Sequence, residues 1–179
     1  MKQKATTSKR SYLDTLFLAY FISHIPITLT VDVQPLLPAD IIPRQLLALN
    51  DLLTRQLRDP FMVLDSNGDR NGGLAWFRSL LVCELVMQLP FFFYAVWALW
   101  VPSPRRHLPL LVYGVHVSTT MAPILGMLFF GDIDRSCSER MLLAGIYLPY
   151  LLIPLAMACA SYSKCASAIS ASTAKPKSQ

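Results

Sequence analysis

Four stretches of this chain, each about twenty residues long or longer and nearly free of charge, decide what it can fold into. They run from about Tyr12 to Val31, Trp76 to Trp100, Leu108 to Phe130 and Met141 to Tyr162. A bilayer core about 30 Å thick is crossed by roughly twenty helical residues, and hydrocarbon offers the backbone no hydrogen-bond partner but itself. The sequence therefore predicts an all-α polytopic membrane protein, a four-helix transmembrane bundle. Charged residues make up only 15% of the 179, where a soluble chain carries about 25%. The missing charge corresponds to surface that faces lipid. The first run is too long for a cleavable leader and no small-residue cleavage pattern follows it.

Orientation follows from where lysine and arginine collect. Residues 1–11, the loop holding Arg105 and Arg106, and the tail 163–179 contain nine basic residues and no acid, whereas the connections 32–75 and 131–140 hold six basic residues and nine acids. Both tails are expected to be cytosolic, as an even number of spans requires. The basic residues thus sort by membrane side instead of forming one patch, which argues against nucleic acid as a partner. Lys175 and Lys177 fit a K-x-K-x-x retrieval signal, so the expected location is the endoplasmic reticulum membrane.

Residues 12–162 form the four-span domain, with 32–75 as a lumenal cap too long for a plain loop. Leu46, Leu49, Leu53 and Leu57 recur at three- and four-residue steps, the pattern of a helix lying on the bundle. The stretch from Asp65 to Gly73 is rich in turn formers. Cys83, Cys137, Cys159 and Cys165 have neither metal-site nor disulfide spacing and are read as small buried hydrophobes.

The polar residues inside the spans point to a site. Tyr20, His24, Thr28 and Asp32 stand four residues apart, each step drifting about 40° around a helix, so they share one side. Glu84 and Gln88 repeat that spacing in the second span, the third carries Tyr113, His116 and Thr120, and the fourth Tyr147 and Tyr150. A carboxylate at the centre of a spanning helix costs about 2.5–3.5 kcal/mol. Glu84 is therefore expected to face the interior, protonated or paired. Pro26, Pro90, Pro123, Pro149 and Pro154 put at least one proline in every span. Kinked helices pack less closely than straight ones, and a cavity is the expected result.

The strings YFISHIPITLTVDVQPLLP (20–38), RDPFM (58–62), WFRSLLVCELVMQLPFFF (76–93), YGVHVSTTMAPIL (113–125) and ERMLLAGIYLPYLLIP (139–154) resemble the EXPERA family of four-span membrane proteins, which includes a sterol Δ8–Δ7 isomerase. The resemblance covers all four spans in order. It implies an endoplasmic-reticulum protein, often a homodimer, whose pocket takes sterols and cationic amphiphilic drugs. By residue match, Asp32 would pair with a ligand amine and Glu84 would be a protonated acid hydrogen-bonded to it. His24, Gln88, Tyr113, Thr120, Tyr147 and Tyr150 match pocket positions, and Asp59 matches a structural acid. Two acids in an apolar cage do not both ionise cheaply, so one negative charge is left for one ammonium, with aromatic walls adding cation–π attraction.

The expected function is a non-enzymatic binding protein for cholesterol or an oxysterol and for cationic amphiphilic small molecules, acting in cholesterol trafficking or sterol homeostasis. Membrane lipid, a second copy of the chain and a sterol transporter are the other expected partners; no cofactor or metal is expected. A sterol isomerase is the rival reading. Its pattern, however, sets a histidine one turn before the acid of span two, where this chain has Leu80, and a second acid in span three, where Leu108 to Phe130 has none. A scaffold that holds a membrane transporter also fits the fold but leaves the acid pair unexplained.

Overall fold

A computed structural model describes residues 11–63, 75–101 and 103–173. The first span is α1 (Tyr12–Ile27), prolonged by a π-helical turn (Thr28–Asp32) and a 3-10 turn (Gln34–Leu36). A cap helix, α2 (Arg44–Asp51), runs on through a second π turn (Leu52–Gln56). The second span comprises α3 (Ala75–Cys83), a third π turn (Glu84–Gln88) and α4 (Leu89–Trp100). A 3-10 turn (Pro104–Arg106) leads into α5 (His107–Phe130), and α6 (Cys137–Thr173) completes the bundle. Four helical units, Tyr12–Leu36, Ala75–Trp100, Pro104–Phe130 and Cys137–Thr173, are long and apolar enough to cross a membrane. The all-α four-span class is thus what forms, and no strand occurs among the described residues.

The π turns of the two spans sit beside prolines. Pro26 lies two residues before the first and Pro90 two residues after the third. Proline cannot donate to the carbonyl four residues back, and the ladder nearby shifts to five-residue steps: the Val33 amide donates to the Thr28 carbonyl and the Leu89 amide to that of Glu84.

Between the helices, Phe17, Phe21, Phe92, Leu99, Leu110, Leu128, Leu143 and Met157 are buried in one continuous core. The outward surface is also apolar, with Val86, Met87, Phe93, Trp97, Leu152 and Leu155 exposed, as lipid requires. The backbones of α5 and α6 approach closely at Gly114. A Cβ built there would stand 2.5 Å from the Pro154 carbonyl oxygen and 2.8 Å from the Ala158 nitrogen.

Both ends of the bundle are tied by arginines. At one end Arg106 pairs with Asp14 at 2.8 Å. At the other, Arg58 pairs with Glu139 at 2.7 Å, and Arg135 donates to the Arg58 carbonyl at 2.6 Å, which holds Arg58 at φ 53°. Arg140 donates to the carbonyls of Leu128, Gly131 and Ile133 at 2.7–3.1 Å and so caps α5.

Two expectations need adjusting. None of the four cysteines is buried: Cys137 and Cys159 are exposed, Cys83 and Cys165 half-buried, because the helix faces that carry them turn away from the core. The fourth helix continues to Thr173, eleven residues past Tyr162, through an Ala- and Ser-rich stretch. Alanine favours helix, and Ser163 and Ser167 satisfy their hydroxyls on carbonyls four residues back. The turn-rich segment around Asp65–Gly73 and the basic residues of both tails lie outside the described residues, apart from Lys164.

Candidate functional site

The site grows from the first two π turns of the spans. On an ideal α-helix the step from Thr28 to Asp32 would add another 40° of drift. A π turn takes in one more residue than an α turn, so the same step falls short of a full rotation and swings Asp32 back toward the interior. Glu84 and Gln88 open and close the other such turn, on the second span. The two acids therefore come to face each other from neighbouring helices.

Asp32, Glu84 and His24 each offer one side-chain atom within 4.8 Å of the others. Glu84 Oε1 accepts from the Thr28 hydroxyl at 2.6 Å and lies 3.4 Å from His24 Nε2. Its side chain is 15% exposed and that of His24 is 8%. His24 is ringed by Tyr20, Phe92 and Tyr150, with centroids 4.9–5.0 Å away, and among the described residues its buried Nδ1 has no hydrogen-bond partner.

This cluster forms one wall of a cavity of about 260 Å³ inside the bundle. Ile27, Val31, Phe77, Leu81, Val117, Met121, Ile124 and Ile146 supply an apolar wall, and Leu49, Leu53 and Met62 of the cap close it from above. Most site residues expected from the sequence reach this space: His24, Asp32, Glu84, Gln88, Thr120, Tyr147 and Tyr150 all line it, as does Asp59.

Tyr113 is the exception, since it does not line the cavity. Its ring stacks on Phe91 at 4.9 Å and its hydroxyl shares a 3.1 Å hydrogen bond with Tyr20. The two tyrosines form the layer behind His24. His116 is likewise set back, 3.4 Å from Gln88 through Nε2. Thr28, a member of the polar stripe, proves to be the direct donor to Glu84. Leu80 lines the cavity one turn before Glu84, so an isobutyl group faces the space where the isomerase pattern has imidazole.

Asp59 is held differently. Its carboxylate accepts the Phe61 amide at 2.8 Å and the Tyr147 hydroxyl at 2.8 Å, which joins the cap to α6. Burial pushes its pKa up, while those two hydrogen bonds pull it part of the way back.

Chemically, two carboxyls and an imidazole on one wall can receive a cation. Their spacing would suit a small metal ion as well as an organic ammonium. The rest of the lining distinguishes these, because an apolar wall of this extent has no role for a bare ion and matches a large hydrophobic body.

Comparison with known proteins bears on the whole bundle. The EXPERA (EXPanded EBP superfamily) model matches residues 47–161. The chain belongs to the EXPERA family. Among individual relatives, sigma intracellular receptor 2 of Xenopus tropicalis is 37% identical over 151 residues, covering 80% of this chain and 84% of its own. The protein of that name from Homo sapiens is 36% identical over 161 residues, with 81% and 84% covered. The efficient mitochondria targeting-associated protein 19 of Saccharomyces cerevisiae is 33% identical over 154 residues, covering 78% of this chain and 91% of the yeast protein. The EXPERA match takes in Glu84, Gln88, Thr120, Tyr147 and Tyr150 but begins after α1. Geometry is what links His24 and Asp32 to those EXPERA positions.

Proposed function

We propose that this chain is an intramembrane binding protein for sterols and cationic amphiphilic molecules, acting in cholesterol trafficking or sterol homeostasis at the endoplasmic reticulum. The carrying observation is the acid pair beside His24 on the wall of an otherwise apolar cavity. A ligand ammonium takes Asp32 as its counter-ion. Glu84, held by Thr28, stands within 4.8 Å of Asp32 and keeps it in place. The hydrophobic body of the ligand fills the space toward Met121 and Ile124, with Tyr150 and Tyr147 along its side. The similarity to proteins named sigma intracellular receptor 2 supports a receptor over an enzyme.

His24 beside Glu84 also favours a second reading, a sterol isomerase, because proton movement across a ring needs an acid and a base in reach of one another. Leu80 weighs against it. A scaffold for a transporter, or a role in mitochondrial targeting such as the yeast relative's name states, would leave the acid pair idle.

Binding of a radiolabelled cationic amphiphile to purified protein tests the reading. Removing one member of a buried, hydrogen-bonded charge pair costs about 2–5 kcal/mol. Asp32→Asn removes the counter-ion and should therefore weaken binding at least about thirtyfold, and Glu84→Leu, which removes the polar support of Asp32, about fivefold or more, with helix content unchanged. Normal binding by both variants rejects the site. Conversion of a Δ8-sterol to its Δ7 isomer by the unaltered protein would replace the receptor reading with the enzymatic one.

A further inference from the structure

A second cavity, of about 370 Å³, lies at the opposite end of the bundle between the start of α5 and the later turns of α6. Arg105, His107 and Lys164 supply its polar lining, and Leu108, Cys165 and Ala168 the apolar part. No acid lines it. Asp14, the acid that reaches this end, is engaged by Arg106 at 2.8 Å, and among the described residues neither Arg105 nor Lys164 is paired with an acid.

Depth adds a separate constraint. Leu108 and Tyr162 are exposed on the apolar outer surface, and Arg105 and Lys164 follow just beyond them. The cavity therefore sits where hydrocarbon gives way to headgroups. It also lies on the face where the segments outside the spans hold nine basic residues and no acid. The amides that open α5 add their partial positive charge.

We propose that this cavity holds the phosphate-bearing headgroup of an anionic lipid from the leaflet on the side of the two tails. Arg105 and Lys164 bind the phosphate oxygens, His107 closes the inner side, and Leu108 meets the start of an acyl chain. Basic pockets between transmembrane helices on the cytoplasmic side are suited to such headgroups. The site is distinct from the acid-lined cavity and takes ligands of opposite charge. It depends on the proposed orientation only for its meaning in the cell.

The test uses the full chain in nanodiscs of phosphatidylcholine with a few per cent phosphatidylinositol 4-phosphate. Both membrane faces are open there, so the outcome does not depend on orientation. Native mass spectrometry after release should show retained phosphatidylinositol 4-phosphate. Arg105→Gln and Lys164→Gln should each lower retention about fivefold, and the pair of substitutions about twentyfold or more. Raising salt toward 1 M should do the same to the unaltered protein, as screening shortens to about 3 Å. Both side chains are exposed, so unchanged thermal unfolding and unchanged amphiphile binding are expected in the variants. Retention unaffected by the double substitution overturns the proposal. Complete displacement by an equal concentration of soluble inositol 1,4-bisphosphate also overturns it, assigning the cavity to a free phosphate compound.

Discussion

Asp59 shows how a single side chain joins two parts of this molecule. It closes a turn onto Phe61 and reaches Tyr147 on α6, so the cap is fastened where it roofs the acid-lined cavity. Because burial raises its carboxyl pKa, the folded protein holds the Asp59 proton more tightly than the unfolded chain does. The stabilising contribution is then complete below the ordinary carboxylate range and declines as pH rises through the raised value. Thermal unfolding followed between pH 4 and 8 should show this decline, and Asp59→Asn should flatten it. An equally steep profile in the variant would assign the pH dependence to another group. Tyr147→Phe removes one donor to the carboxylate and should lower stability by about 1–3 kcal/mol. At this scale the acids were readable beforehand, since a carboxyl inside an apolar run is costly enough to demand an interior position. Tyr113 was not. An aromatic residue on an interior-facing stripe packs equally well in the first or the second layer, and only the Phe91 ring and the Tyr20 hydroxyl settle which.

Among the helices, the α5–α6 contact leaves no room for a side chain at Gly114. Gly114 lets the two backbones approach so closely that a methyl group would overlap the Pro154 carbonyl. Small residues serve this purpose where lipid removes the hydrophobic drive between helices. Gly114→Ala should destabilise the protein by about 1–3 kcal/mol through overpacking, measured as loss of thermal stability in detergent. Gly126→Ala is the matched control, since a Cβ there meets nothing within 4 Å. A larger loss from the control would show that the crossing is not where the strain falls. The spans were legible from hydropathy, and the prolines correctly implied helices that depart from the ideal. What could not be read was the form of the departure. A helical wheel assumes 3.6 residues per turn throughout, and the π turns at Thr28–Asp32 and Glu84–Gln88 break that assumption at the site itself. The end of α6 was hidden for a related reason: polar Ala- and Ser-rich sequence marks the limit of the hydrocarbon, not of the helix.

For the molecule as a whole, orientation is the next question. If both tails are cytosolic, Cys137, exposed as the first residue of α6, faces the lumen. In sealed microsomes a membrane-impermeant maleimide should then label Cys137 only after permeabilisation, tested in a chain with the other three cysteines replaced by alanine. Equal labelling of sealed and opened vesicles would place that residue on the cytosolic side. The length of α6 bears on what happens at the opposite face. Its 37 residues extend about 55 Å, some 25 Å more than the hydrocarbon they cross. Whatever follows Thr173 departs from a rigid rod about three turns beyond Tyr162, not from the bilayer surface. If Lys175 and Lys177 act as a retrieval signal, the helix end at Thr173 that leads to them stands about 16 Å along the axis from Tyr162, as on the end of a spar.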